Sequence, residues 1–170
     1  IVLMRGTGKE TGDWSILDKV LEEEGDRISS QVAPPIGFDY TPWAPFKNRL
    51  SESKIAILST GGVYVEGQKP FNTEGDSSYR EIPLDTPAEL FRIADTHYDT
   101  TGVAEDINSV LAIHRLQEII RDGIVAESSE SAYSFMGYIP DPSDLTEVTA
   151  PELAKRLNED GVSGVVIGTT

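Results

Sequence analysis

The sequence has no cysteine, which excludes disulfide bonds and thiolate zinc sites within its 170 residues. It contains only two histidines, His97 and His114, with no obvious third ligand beside them, so no metal site is expected. Basic residues are also scarce: 14 Lys and Arg stand against 29 Asp and Glu, for a formal net charge of −15. This balance argues against a nucleic-acid partner and against adsorption to an anionic membrane.

Long apolar runs are missing as well. Stretches such as residues 55–58 fall far short of the roughly 18 residues that a membrane-spanning helix needs. The chain begins with Ile1 and shows neither the apolar region nor the cleavage site of a signal peptide, so it is expected to begin inside a longer chain. With 38% hydrophobic residues it can still form a packed core. The sequence therefore predicts a soluble, cytoplasmic protein.

Residues 1–50 differ in composition from the rest and are predicted to form an N-terminal arm. A short helix is expected at residues 18–21, ended by Gly25. Prolines at 34, 35, 42 and 45 then favour extended backbone. The aromatic side chains among them, Phe38, Tyr40, Trp43 and Phe46, are too apolar for an unattached linker. We expect the arm to pack on the main domain or on a partner.

Residues 51–170 alternate between strand and helix patterns. Buried or short strands are predicted at residues 54–59, 63–65, 91–94, 124–127 and 162–167. A helix is predicted over residues 110–121, capped by Asp106 or Asn108, and a second one opens at the capping box of residues 149–152 and ends at Gly161. Residues 67–78 and 133–137 are expected to be loops. The alternation predicts an α/β fold, a three-layer sandwich with a mostly parallel sheet.

In an open α/β sheet, ligands bind outside the carboxyl ends of the strands. The segments predicted to reach that edge contain Gly61 and Gly62, then His97, Tyr98 and Asp99, then Phe135 and Met136, and finally Thr169 and Thr170. Several of these and other polar residues also have a purely structural interpretation. His97 is either a proton donor or a hydrogen-bonded structural residue, Asp99 either orients His97 or caps a turn, and Asp106 is most simply a helix cap.

Two arginines are candidates for binding a substrate carboxylate. Arg80 and Arg115 both have the forked geometry for this contact, but in a chain this acidic each readily finds an internal partner. His114, beside Arg115 on the predicted helix, is expected to be solvated. A serine hydrolase is a poor fit, because no nucleophile-elbow pattern surrounds Ser59 or Ser134.

The ordered set of motifs over residues 54–170 resembles the selenoprotein B family of glycine, sarcosine, betaine and D-proline reductases. The matching segments are IAILSTGGV at 55–63, PF at 70–71, GDSSYREIP at 75–83, YDTTG at 98–102, DIN at 106–108, IHRL at 113–116, YSFMG at 133–137 and LNEDGV at 157–162. The helix departs from the family pattern at Ala112 and His114, where the family commonly has a proline and an acid.

The resemblance implies a reductase that cleaves a carbon–nitrogen bond alpha to a carboxylate in a small amino acid or amine. In the family the last strand is followed at once by a selenocysteine or a cysteine, so this nucleophile is expected directly after Thr170. Because selenocysteine is encoded by a codon otherwise read as a stop, a translated sequence would end there; processing or missing residues would give the same end. Backbone N–H groups of the adjacent glycine loops are expected to favour its anionic form.

The resemblance also implies roles for individual residues and partners. Arg80 is the first choice for the carboxylate clamp, His97 or Asp106 for proton transfer, and Thr169 and Thr170 for shaping the turn before the nucleophile. A pyruvoyl group on a partner subunit, a thioredoxin-like electron donor and an oligomeric assembly are expected. The alternative is a non-catalytic ligand-binding or assembly subunit that keeps the fold and lacks the nucleophile.

Overall fold

The computed structural model describes residues 44–95 and 98–168. Most of the predicted arm, with its short helix and Phe38, Tyr40 and Trp43, lies outside the described residues. Its described part runs without regular structure to a 3₁₀ turn at Leu50–Glu52. Here the ring of Phe46 lies 3.1 Å from the position that a Cβ atom would take at Gly164. The boundary predicted at residue 50 stays a prediction.

The strands are mostly short. They are β1 (Lys54–Ser59), β2 (Val63–Val65), β3 (Arg80–Pro83), β4 (Phe91–Ile93), β5 (Glu127–Ser128), β6 (Ser131–Ser134) and β7 (Gly164–Gly168). The helices are α1 (Thr101–Glu105), α2 (Ile113–Arg121) and α3 (Ala150–Glu159), with 3₁₀ turns at Ala88–Leu90 and Ile107–Ser109 and a π-helical turn at Leu145–Thr149. None of these helices has the length and apolar character that crossing a lipid bilayer requires.

β1 lies at the centre of a mostly parallel sheet. It pairs in parallel with β7 on one side and with both β5 and β6 on the other, and β3 pairs antiparallel with β6. At its carboxyl end, Ser59 is in register with Gly168 of β7 and with Ser134 of β6. The predicted parallel sheet is therefore confirmed, and it brings three strand ends together.

Helices cover both faces of this sheet. On one face, Ile55 and Ile57 of β1 share a hydrophobic core with Ile113 and Leu116 of α2. On the other face, Ala56 packs in a second core whose remaining buried members include Leu153 and Leu157 of α3, Tyr133 and Phe135. Alternate residues of a strand point to opposite faces, so one short apolar strand serves both cores. This arrangement is the predicted three-layer sandwich.

Several local predictions were wrong. β4 pairs antiparallel with β2 in a separate two-stranded sheet and does not join the main one. The loop predicted at residues 133–137 is wrong in its first two residues, because Tyr133 and Ser134 end the largely buried strand β6, which β1 and β3 flank on both sides. The strand Arg80–Pro83 was not predicted at all, and the strand expected at residues 124–127 is reduced to Glu127–Ser128.

The predicted helix starts were also only partly right. Thr149 has helical backbone angles and caps nothing, because the chain enters α3 from the preceding π-helical turn. α2 begins at Ile113, after the 3₁₀ turn at Ile107–Ser109 that Asp106 caps through the Asn108 N–H. Asn108 Oδ1 in turn accepts hydrogen bonds from the N–H groups of His114 and Arg115. Both proposed caps are thus used, one after the other.

Candidate functional site

The turn that follows β1 joins the carboxyl ends of three strands. The Thr60 N–H donates to the Gly168 carbonyl of β7 at 3.1 Å, and the Gly62 N–H donates to the Phe135 carbonyl beyond β6 at 2.9 Å. Gly61, Gly62 and Phe135 therefore lie together, as predicted, and β7 ends beside them. Thr169 and Thr170 themselves lie outside the described residues.

Two buried serines hold the same turn. Ser59 Oγ accepts a hydrogen bond from the Gly61 N–H at 3.0 Å, and Ser134 Oγ accepts one from the Val63 N–H at 2.8 Å. All four N–H groups of residues 60–63 consequently donate within the chain. The expectation that N–H groups of the glycine loops stabilise an anionic nucleophile stays a prediction, and the N–H groups of residues 60–63 could serve it only by exchanging these internal acceptors. The turn acts as a rigid scaffold.

Gly62 is the tightest point of the turn. Its φ of +64° lies in the left-handed region, and an added Cβ would lie 3.0 Å from the Asp95 N atom and 3.3 Å from the Met136 sulfur. Met136 is only 1% exposed. Met136 thus packs against the glycine turn, where it was predicted to be, and is covered by protein.

Tyr98 links the segment after β4 to this turn. Its hydroxyl donates to the Gly61 carbonyl at 2.9 Å. Burial, helped by the negative charge of Asp95, raises the pKa of Tyr98 to about 12. The hydroxyl is therefore protonated at neutral pH and serves as a hydrogen-bond donor that fixes Gly61. His97, its neighbour in sequence, lies outside the described residues.

Asp95 is a buried acid that the sequence analysis missed. It is 5% exposed, its backbone touches Gly62, and its charge acts on Tyr98. A single aspartate after a short strand looks like any loop residue. The signal that could have identified it is its place directly after an apolar segment, which matches the place of Ser59 after the apolar residues of β1. Asp95 joins Tyr98 and Met136 around the glycine turn.

The two predicted acids, Asp99 and Asp106, both bind neighbouring backbone. Asp99 Oδ1 accepts hydrogen bonds from the hydroxyl and the N–H of Thr101, which lower the pKa of its carboxyl. Asp106 Oδ1 accepts from the N–H and the side-chain amide of Asn108, which lower its pKa in the same way. Both are ionised at neutral pH, so neither holds a proton to donate there.

Arg80 is engaged on every side. Its five N–H groups are used within the chain: Nε on the Lys69 carbonyl, Nη1 on Ser78 Oγ and the Tyr79 carbonyl, and Nη2 on the Pro70 carbonyl and Asp76. The guanidinium also lies 4.1 Å from the centre of the Phe71 ring. A substrate carboxylate would have to displace one of these contacts. The geometry therefore favours a structural role, organising the loop of residues 69–79.

Among residues 44–95 and 98–168, no group of three or more histidine or acidic side chains is placed to hold a metal ion. The site consists of a closed glycine turn, two buried serines, a tyrosine, a buried acid and the end of β7. A residue that follows β7 would lie next to this hydrogen-bonded turn.

The sequence of the chain is similar to those of several known reductase subunits. The chain is 30% identical over 143 residues to the D-proline reductase subunit gamma of Acetoanaerobium sticklandii, covering 82% of this chain and 57% of that protein. It is 28% identical to a glycine reductase complex component B subunit gamma of Symbiobacterium thermophilum (86% and 35% covered). It is 26% identical to the sarcosine reductase complex component B subunit beta of Peptoclostridium acidaminophilum (95% and 38% covered).

The chain thus spans 57% of the length of the D-proline relative and little more than a third of the other two. No solved structure matches it significantly. The family model of glycine/sarcosine/betaine reductase selenoprotein B matches residues 24–170, which is most of the sequence and includes every strand and helix described above. The chain belongs to the glycine/sarcosine/betaine reductase selenoprotein B family.

Proposed function

We propose that this chain is a subunit of a selenocysteine- or cysteine-dependent reductase that cleaves a carbon–nitrogen bond alpha to a carboxylate. Its relatives bear the names of subunits of D-proline, glycine and sarcosine reductases. The observation that carries the proposal is the 3.1 Å hydrogen bond between Thr60 and Gly168, which places the end of β7 at the glycine turn. A nucleophile shortly after β7 would lie at the edge of the sheet where α/β enzymes bind ligands.

A selenolate or thiolate supplies a nucleophile for the alpha carbon, so that the amine leaves with the electron pair of the broken bond and takes up a proton. Release of the reduced product by a second thiol leaves an oxidised pair, and a thioredoxin-like donor returns the two electrons. A pyruvoyl group on a partner subunit would activate the amine of a cyclic substrate. These partners and an oligomeric assembly are part of the proposal.

The described residues are compatible with a nucleophile at this position. Ser59, Ser134 and Tyr98 keep the turn rigid by binding the Gly61 and Val63 N–H groups and the Gly61 carbonyl. The buried side chains of Phe135 and Met136 exclude water from one side of the turn. Because Thr60 to Val63 donate their N–H groups internally, charge stabilisation at the nucleophile must come from other residues or require these N–H groups to exchange their acceptors.

The proposal is tested by reading the gene beyond the codon for Thr170 and by producing the full-length protein with a selenium supply. Intact mass and selenium content identify the residue. Release of amine from glycine, sarcosine or betaine, or formation of the ring-opened amino acid from D-proline, with a dithiol reductant measures the activity. We expect a selenocysteine or cysteine directly after Thr170, and loss of turnover when it is replaced by serine. A residue that cannot attack carbon would contradict the reductase and support a non-catalytic binding or assembly subunit.

A further inference from the structure

A cavity of about 780 Å³ lies between β4, α1 and the first turn of α2. Val103 and Ile107, both buried, form part of its apolar wall, and its other lining residues include charged side chains of both signs. Sites for small molecules usually measure some 300–1,000 Å³ and combine an apolar wall with a few placed polar groups. The cavity therefore has the size and composition of a small-ligand site.

Asn108 fixes the polar part of this wall. Its Oδ1 accepts from the His114 N–H at 3.0 Å and the Arg115 N–H at 3.3 Å, which settles which way the amide points. Its Nδ2 therefore donates to Asp106 Oδ1 at 2.6 Å and to His114 Nδ1 at 3.2 Å. A neutral His114 consequently carries its proton on Nε2. One asparagine thus orients Asp106, His114 and Arg115, which all line the cavity.

Two opposite charges on this wall have unused hydrogen-bonding groups. Arg115 contacts Glu118 through Nη1 alone, and within the described part of the chain its Nε and Nη2 make no hydrogen bond. Asp106 uses Oδ1, and within the same residues its Oδ2 accepts nothing. The Asn108 N–H is the main cause of the lowered pKa of Asp106, and the positive charge of Arg115 adds to it. A carboxylate and a guanidinium therefore stand within electrostatic range of each other on one cavity.

We propose that this cavity binds a small zwitterionic amino acid, with its carboxylate on Arg115 and its ammonium group on Asp106. The proposal deepens the reductase function, on which it rests for the substrate class. It also replaces Arg80 as the carboxylate-binding residue, because the donors of Arg80 are all engaged while three of the five N–H groups of Arg115 are available within the described residues.

The cavity is joined to the sheet edge by the chain itself. The 3₁₀ turn Ile107–Ser109 lines the cavity and leads directly to Val110. The Val110 carbonyl lies 3.3 Å from the position that a Cβ would take at Gly168, the end of β7. A ligand that binds Asp106 is therefore held by the same segment that packs against the proposed position of the nucleophile.

The test titrates the full-length protein with D-proline, sarcosine and glycine by calorimetry. Pyrrolidine, which lacks the carboxylate, and tetrahydrofuran-2-carboxylate, which lacks the ammonium group, serve as matched probes for D-proline. We expect at least one zwitterion to bind, and we expect Arg115→Gln, Asp106→Asn and removal of either charge from the ligand each to weaken binding about 10-fold, as loss of a charge-assisted contact does. Lys155→Gln, on the exposed face of α3, is the matched control and should bind as the wild type does.

The results separate this proposal from the reductase function. Turnover with a KM that Arg115→Gln and Asp106→Asn leave unchanged would overturn the cavity assignment while the reductase stands. Binding that depends on both residues, in a protein that has no chalcogen nucleophile, would support the cavity and remove the reductase. Failure of all three zwitterions to bind, or equal binding of pyrrolidine and D-proline, would also overturn the cavity assignment. Thermal unfolding of each variant shows that the fold is retained.

Discussion

At the scale of single residues, Gly62 leaves little room for a side chain. Replacing it with alanine places a Cβ 3.0 Å from the backbone N of Asp95, at a φ of +64° that residues with a side chain rarely adopt. We expect Gly62→Ala to lower the free energy of unfolding by about 3 kcal/mol, since strain and overpacking add. Gly67→Ala is the matched control, because its φ is +90° but nothing lies within 4 Å. It should cost about 1–2 kcal/mol by urea denaturation; equal losses in both would show that the contact with Asp95 is not tight.

Arg80 offers a second residue-scale prediction. Lysine at this position keeps the charge but cannot replace five N–H donors in a fork. The side chain of Arg80, which pairs with Asp76, is only 10% exposed. We therefore expect Arg80→Lys to destabilise the protein by about 2–4 kcal/mol in urea denaturation. The control is Arg92→Lys, at an arginine 43% exposed, which should change stability by less than about 1 kcal/mol. A tolerated Arg80→Lys with lost substrate binding would instead return Arg80 to the role of clamp.

At the scale of elements, the loop of residues 69–79 should respond to acid. Burial alone would raise the pKa of Asp76, but hydrogen bonds from Ser78 and Asn72 and the charge of Arg80 outweigh it, and the net pKa is lowered. A carboxyl with a lowered folded-state pKa stabilises the fold above its unfolded pKa, and that stability is lost as the pH falls through the folded value. We expect the wild type to lose stability below about pH 4 more steeply than Asp76→Asn does. Urea denaturation from about pH 6 to 2 measures this, and parallel slopes would contradict it.

The start of α2 depends on a side chain outside the helix. Asn108 accepts from two N–H groups of the first turn, so Asn108→Ala should cost about 1–2 kcal/mol and loosen the turn that carries Asp106. Asn158→Ala, within α3, is the control and should be neutral or slightly stabilising, since alanine favours helix more than asparagine does. Urea denaturation gives the free energies, and amide exchange at His114 and Arg115 should speed up in Asn108→Ala alone. Unchanged exchange at these two residues would show that Asn108 does not cap α2.

The elements that the sequence predicts well are those whose burial is visible in their own residues. β1 is an apolar run soon followed by Gly61 and Gly62, β7 is one that ends at Gly168, and α2 and α3 show helical spacing. β6 and β3 are not predicted from the sequence, because serine and arginine are common in loops. Only the pairing of the two strands, which places Arg80 opposite Ser134, shows that they belong to a sheet. The site divides in the same way. The glycine turn follows from a local motif, whereas Asp95 and the engagement of Arg80 depend on contacts between distant segments.

At the scale of the whole molecule, net charge and an exposed edge strand have opposite effects on self-association. The formal net charge of −15 repels copies of the chain at low ionic strength. Within residues 44–95 and 98–168, β7 pairs with β1 alone and so lies at the edge of the main sheet, and its Val165, Val166 and Ile167 are 41%, 57% and 58% exposed. An exposed apolar edge strand can pair with another chain.

We therefore expect the 170-residue chain to self-associate more as salt screens its charge, because the Debye length falls from about 10 Å at 0.1 M to about 3 Å at 1 M. Sedimentation velocity at low and high salt measures the oligomeric fraction. Val166→Lys should lower that fraction at both salt concentrations by placing a charge on the edge strand. Ile124→Lys is the matched control, since Ile124 is 50% exposed but lies outside every strand, and its association should follow the wild type. If both variants reduce association equally, general charge rather than β7 governs it.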